Sequence, residues 1–181
     1  PRAGDSATIK IRRVNIAERL YRVTGEGIYR DSVLTGEPTP LRQPLLNAQV
    51  AGQDSAFAVI YRGKVYWFWG DTCRPRYPLG HFRMAGATSE LPGRGGLDPA
   101  RGVDLTYFTD AEGFSRPMSD FGGEGAMWLD GIVVVPDAQG SPRLIAHYAR
   151  MKSLDEMLEH GFAVYDDAQE RFRKTDTFDL K

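Results

Sequence analysis

The alternation of apolar and polar positions is strongest in the middle of the chain, where a period of two predicts β structure. Residues 55–61 and 64–69 read as strands joined by Arg62-Gly63, and 82–89 as a third. A fourth, at 103–109, follows a loop rich in Gly and Pro at 91–102. The series recurs at 128–136, 142–151, 161–165 and 171–177, with 137–141 turning the chain between the first two. Inside this second set, Ser153-Leu154-Asp155-Glu156 has the form of a capping box, predicting a short helix that stops at Gly161. The first fifty residues are polar and irregular. They offer strand candidates at 8–14 and 27–34, after which Pro38, Pro40 and Pro44 forbid regular structure.

The two sets share detail as well as order. Tyr107-Phe108-Thr109-Asp110-Ala111 is echoed by Val164-Tyr165-Asp166-Asp167-Ala168, each followed by a phenylalanine, Phe114 or Phe172. Asp110-Ala111-Glu112-Gly113 is a turn signal, and Asp167-Ala168-Gln169-Glu170 is expected to fill the same role. Gly52-Gln53-Asp54 and Gly122-Gly123-Glu124 each precede the first strand of a set. A repeat of roughly 60 residues made of four short antiparallel strands is the signature of a β-propeller blade. The expectation is therefore an all-β chain: an N-terminal arm over residues 1–50, then two blades at about 52–118 and 123–178, with one short helix. One antiparallel sandwich of about eight strands is the alternative. A propeller closes with no fewer than about four blades. The rest of the ring is thus expected beyond Lys181 or from another copy of the chain.

Composition narrows the partners. The chain has 181 residues, with 23 basic and 24 acidic side chains interspersed, and a net charge of -1. No field exists for phosphate backbones or anionic lipid, so nucleic acid is not an expected partner. No apolar run is long enough to span a membrane as a helix. A single cysteine, Cys73, excludes an internal disulfide, lacks an evident histidine partner, and does not decide the compartment. The chain opens Pro1-Arg2-Ala3-Gly4 without Met, reading as a processed or fragmentary form compatible with a removed export signal. His81, His147 and His160 show no ligand spacing, and no transition metal is expected.

The hairpin 53–72 carries the chemical content. With Arg62-Gly63 as a two-residue turn, Ala58 faces Trp67, Ala56 faces Trp69 and Ile60 faces Val65, small against large. The same register sets Asp54 opposite Asp71 at the open end, with Cβ atoms about 5 Å apart. Like charges so placed are useless to folding but serve as a general acid beside a nucleophile or base. A three-residue turn with a bulge at Gly63 would slip the pairing by one and set the acids diagonally. Asp54 as a strand-entry residue bonding its own backbone, and Asp71 as an Asx turn, are the structural readings of each alone. Glu124 is the third candidate acid, by its matching position. Trp69 and Trp128 offer faces for sugar rings, whereas Trp67 is expected in blade packing. Arg74, His81 and Arg83 follow Asp71 as candidate donors to hydroxyls.

These motifs carry a resemblance. Gly52-Gln53-Asp54-Ser55 and Trp67-Phe68-Trp69-Gly70-Asp71-Thr72 resemble the first blade of a bacterial propeller family similar to the five-bladed glycosidases of the arabinanase and xylosidase group. Gly27-Ile28-Tyr29-Arg30-Asp31-Ser32 fits an arm preceding such a domain, and the matching stretch covers roughly 27–178. The resemblance implies part of a five-bladed propeller, a secreted or periplasmic location, carbohydrate as partner and glycoside hydrolysis as activity. It implies Asp54 as the first-blade acid and Asp71 as its partner. It implies no organic cofactor; a structural cation on the axis occurs in some relatives, though no residue here demands one. The competing function is a non-catalytic propeller scaffold that binds glycan or protein.

Overall fold

The computed structural model describes Thr8, Lys10, Arg12 and residues 22–81 and 84–180, the side chains of 77–81 excepted. Most of the predicted strand at 8–14 lies outside the described residues. The protein is mostly β, with three antiparallel sheets. Among the described residues, no helix is long and apolar enough to cross a membrane.

The predicted strand at 27–34 is instead largely a helix, α1 (Arg30–Thr35). Its end explains why. Gly36 adopts a left-handed φ of 76°, and its N–H and that of Glu37 bond back to Val33 and Ser32. This is a Schellman stop, which a glycine makes without a Cβ penalty. A left-handed turn follows, with Leu46, Ala48 and Gln49 all at positive φ. Such residues cost energy outside glycine, and here bonds from several directions hold them. Leu46 N–H donates to Gly25, the Asn47 amide to the Leu105 carbonyl, and the Gln49 amide to that of Glu112.

The first large sheet is a meander of β2 (Phe57–Tyr61), β3 (Lys64–Trp69), β6 (Ala85–Glu90) and β7 (Thr106–Tyr107). Arg62 and Gly63 both have positive φ, 48° and 80°, as the tight turn requires. The paired residues match that turn: Ala58 with Trp67, Ile60 with Val65. The predicted fourth strand, 103–109, shortens to β7. A small sheet that the alternation did not announce joins β1 (Gly52–Gln53), β4 (Thr72–Arg74) and β5 (Tyr77–His81).

The second large sheet is another meander: β8 (Ala126–Pro136), β9 (Pro142–Met151), β10 (Met157–Asp166) and β11 (Arg171–Phe178). The helix predicted from Ser153 is absent. Lys152 N–H donates to the Glu156 carbonyl, closing a hairpin turn, and the Ser153 hydroxyl bonds Asp155 rather than a helical amide. A helix of one or two turns cannot compete with ten-residue strands pairing on either side. Gly161, the predicted stop, lies inside β10. The turn expected at Asp167–Glu170 forms, but its bonding differs from that of the Asp110 turn. The Asp110 turn is matched bond for bond at Asp137: each Oδ1 accepts the N–H groups two and four residues on. In the other hairpin, Asp166 is the acceptor and Glu170 takes a left-handed φ of 51°.

The large sheets pack face to face, without either closing on itself. Tyr61 and Phe68 from the first meet Leu129, Leu144, Ala146, Tyr148, Ala163, Tyr165 and Phe172 from the second, with Met84 and Met118 filling between. Edge-to-face ring pairs such as Phe68–Phe172, 5.2 Å between centroids, run through this core. The connector between the sheets is bonded to both: Met118 N–H donates to Met84, and its carbonyl accepts from Phe172, each at 2.7 Å. At one border Glu159 accepts from Tyr148 at 2.5 Å and Lys174 at 2.7 Å and pairs with Arg150. These bonds, Lys174 first, hold its carboxyl at about 2, well below the usual carboxylate range. A second, smaller core sets Ala48 and Val50 of the arm against Trp69, Ala87, Leu105 and Tyr107.

Candidate functional site

The two motifs at the head of the first sheet lock together. Gly52 pairs with Cys73 and Gln53 with Thr72. The Gln53 amide donates to Thr72 Oγ1 at 3.1 Å, while its Oε1 accepts the Tyr107 hydroxyl at 2.8 Å. Asp54 N–H donates to the Asp71 carbonyl at 2.9 Å, so the backbone sets these residues opposite each other, the register the two-residue turn predicts. Gly70 N–H also reaches the Asp54 carbonyl at 2.8 Å. Asp54 thus bonds both Gly70 and Asp71, while the register is the same on either side, Phe57 with Phe68 and Gln53 with Thr72. A Cβ on Gly70 would lie 3.3 Å from the Ser55 Cβ, which suits a glycine at this crossing.

The carboxyl groups differ in surroundings. Asp54 is exposed, and its Oδ1 accepts the Ser55 N–H at 2.7 Å, the strand-entry bond its structural reading predicts. Asp71 is half-buried, and its Oδ1 accepts the Trp128 indole N–H at 3.4 Å. That bond joins the bend after β3 to β8 of the second large sheet, whose first strand also touches β2. Asp54, Asp71 and Trp128 are therefore brought together. Glu124 sits exposed in the bend before β8.

The remaining predicted residues are placed elsewhere. Trp69 is 4% exposed, stacked between Trp67 and Tyr107, which corrects its expected role as an open sugar platform. Arg74 lies 4.7 Å over the Phe114 ring and 3.6 Å from Glu112, packing the connector. The backbone of His81 pairs with Thr72, its side chain lying outside the described set, as does all of Arg83.

Two features escaped the sequence. Trp67, half-buried, lines a cavity of about 780 Å³ with Arg42, Ser89, Leu97, Asp104 and Thr106 among its other walls. Asp130, His147 and His160 form a chain across β8, β9 and β10: His147 Nδ1 lies 3.0 Å from Asp130, and its Nε2 lies 3.1 Å from His160 Nδ1. The turn at Asp137 gave no signal for the second: its register alone would pair Asp130 with Tyr148, and an irregularity between Asp130 and Val133 moves the partner to His147. Among the described residues, no three His, Cys, Asp or Glu side chains gather as metal ligands would. A comparison with protein-family models, curated proteins and solved structures finds no match to the chain.

Proposed function

We propose that the chain forms two neighbouring blades of a propeller that handles carbohydrate, with Asp54 and Asp71 as a hydrolytic acid pair. The observation that carries this is the bond from Asp54 N–H to the Asp71 carbonyl, which aligns two acids at one end of the first sheet. Trp128 reaches the same point from the second sheet and fixes the direction of the Asp71 carboxylate. Each large sheet is a four-stranded meander in chain order, and the first strands of the two adjoin, as the inner strands of neighbouring blades do. In glycoside hydrolysis one carboxyl group protonates the leaving oxygen while the other attacks the sugar or activates water. Later blades, or a second copy, would complete the ring, and Glu124 would serve as a third acid.

The test is a screen of the parent protein against arabinan, xylan and other polysaccharides, with Asp54→Asn and Asp71→Asn alongside. Hydrolysis should fall by about a hundredfold or more in each variant, the range of a lost acid or base. Undiminished turnover in both would remove the pair from any mechanism. A second reading, a glycan-binding scaffold without catalysis, is favoured by the Ser55 and Trp128 bonds that already engage these carboxylates. It predicts binding without turnover.

A further inference from the structure

We infer that the cavity against Trp67 is a binding site for a neutral, polyhydroxylated ring ligand of one or two sugar units. It shares its ligand class with the hydrolytic reading but none of its residues, so either stands without the other.

The floor is fixed before any ligand arrives. Trp67 stacks parallel to Trp69, 6.2 Å between centroids at 10°, and Trp69 stacks in turn on Tyr107. The Trp67 indole N–H is already given to Ser89 Oγ at 2.9 Å. What Trp67 offers the cavity is therefore carbon surface, which suits the C–H face of a pyranose. The wall is a built loop. Arg94 and Gly96 N–H both bond the Leu91 carbonyl, and a Cβ at Gly96 would fall 2.3 Å from the Glu90 carbonyl oxygen. That closeness leaves the loop no room for a larger residue there.

The rim selects the ligand's charge. Arg42 bonds Asp104 at 2.5 Å and Thr106 at 2.9 Å, and Lys64 pairs with Glu90 at 2.7 Å. Each cation meets its own anion, so the rim carries no net charge to draw phosphate, carboxylate or amine. It carries instead donors beside acceptors, and vicinal hydroxyls are both at once. The volume of about 780 Å³ lies within the range of small-molecule sites.

The probes are maltose, cellobiose, lactose and xylobiose, with inorganic phosphate and glucuronate as charged controls, followed by calorimetry and tryptophan fluorescence. At least one neutral disaccharide should bind the wild type. Trp67→Ala should weaken it by about tenfold or more, with Trp67→Phe recovering part of the loss. Thr106→Val, at an exposed rim position that leaves the fold intact, should weaken it several-fold. Asp71→Asn should leave this affinity unchanged even where it abolishes hydrolysis. Absence of binding by all four disaccharides, equal affinity in folded Trp67→Phe and Thr106→Val, or preference for phosphate or glucuronate would each overturn the assignment.

Discussion

Glu159→Gln is the sharpest test of how the second sheet is held. The carboxylate sits at 16% side-chain exposure between Arg150, at 14%, and Lys174, at 36%. Glutamine keeps the shape and one acceptor but turns an N–H₂ toward a cation, leaving Arg150 without its countercharge. The wild-type carboxyl is lowered from 4.5 to about 2, chiefly by Lys174 and then by the Tyr148 hydroxyl and Arg150, against the opposing effect of burial. At about 1.4 kcal/mol per pH unit the shift corresponds to roughly 3.5 kcal/mol. Solvent screening at Lys174 brings the expected loss to about 2 kcal/mol. The pH sign follows from the direction. A depressed carboxyl stabilises above its unfolded value and loses that contribution as pH falls from 4.5 toward about 2. Urea unfolding at neutral pH should show the loss directly, and a series of melts down to about pH 2 should be flatter in Glu159→Gln than in the wild type. A variant within about 0.5 kcal/mol of wild type, or one with an equally steep acid limb, would refute the reasoning.

Two substitutions probe the backbone. Glu170→Gly relieves a left-handed φ of 51° in the last hairpin and should raise Tm by about 2 °C, worth roughly 0.5–1 kcal/mol; a fall in Tm would count against it. Gly161→Ala places a Cβ 1.9 Å from the Asp176 carbonyl oxygen, so β10 and β11 must part. A loss of about 2–3 kcal/mol by denaturant titration is expected, and wild-type stability would show that this crossing tolerates a side chain.

Much of the sheet structure was legible because one turn determines a whole register. Once Arg62-Gly63 is a tight turn, the pairs from Tyr61–Lys64 to Phe57–Phe68 follow, and the same register holds at Gln53–Thr72 beside Asp54 and Asp71. The second meander was legible from its length and alternation. What failed was local signal read without its neighbours. The Ser153 capping box has the right residues, but strands on both sides claim its backbone. The stretch 27–34 has strand-like residues, yet Gly36 supplies a helix stop that outweighs them. Trp67 and Trp69 share a face by parity, so alternation alone could not say which is covered. That is decided by Ala48, Val50 and Leu105, distant in sequence, which close over Trp69 and leave Trp67 beside the cavity.

The connector through Met118 has a mechanical consequence. One peptide segment is hydrogen-bonded to residues flanking both large sheets, with Phe114, Ser115, Met118 and Ser119 all buried. Parting the halves would break both bonds and expose these side chains to water, which opposes a jaw-like opening at this junction. A protease should find this buried, doubly bonded junction among the last places to cut.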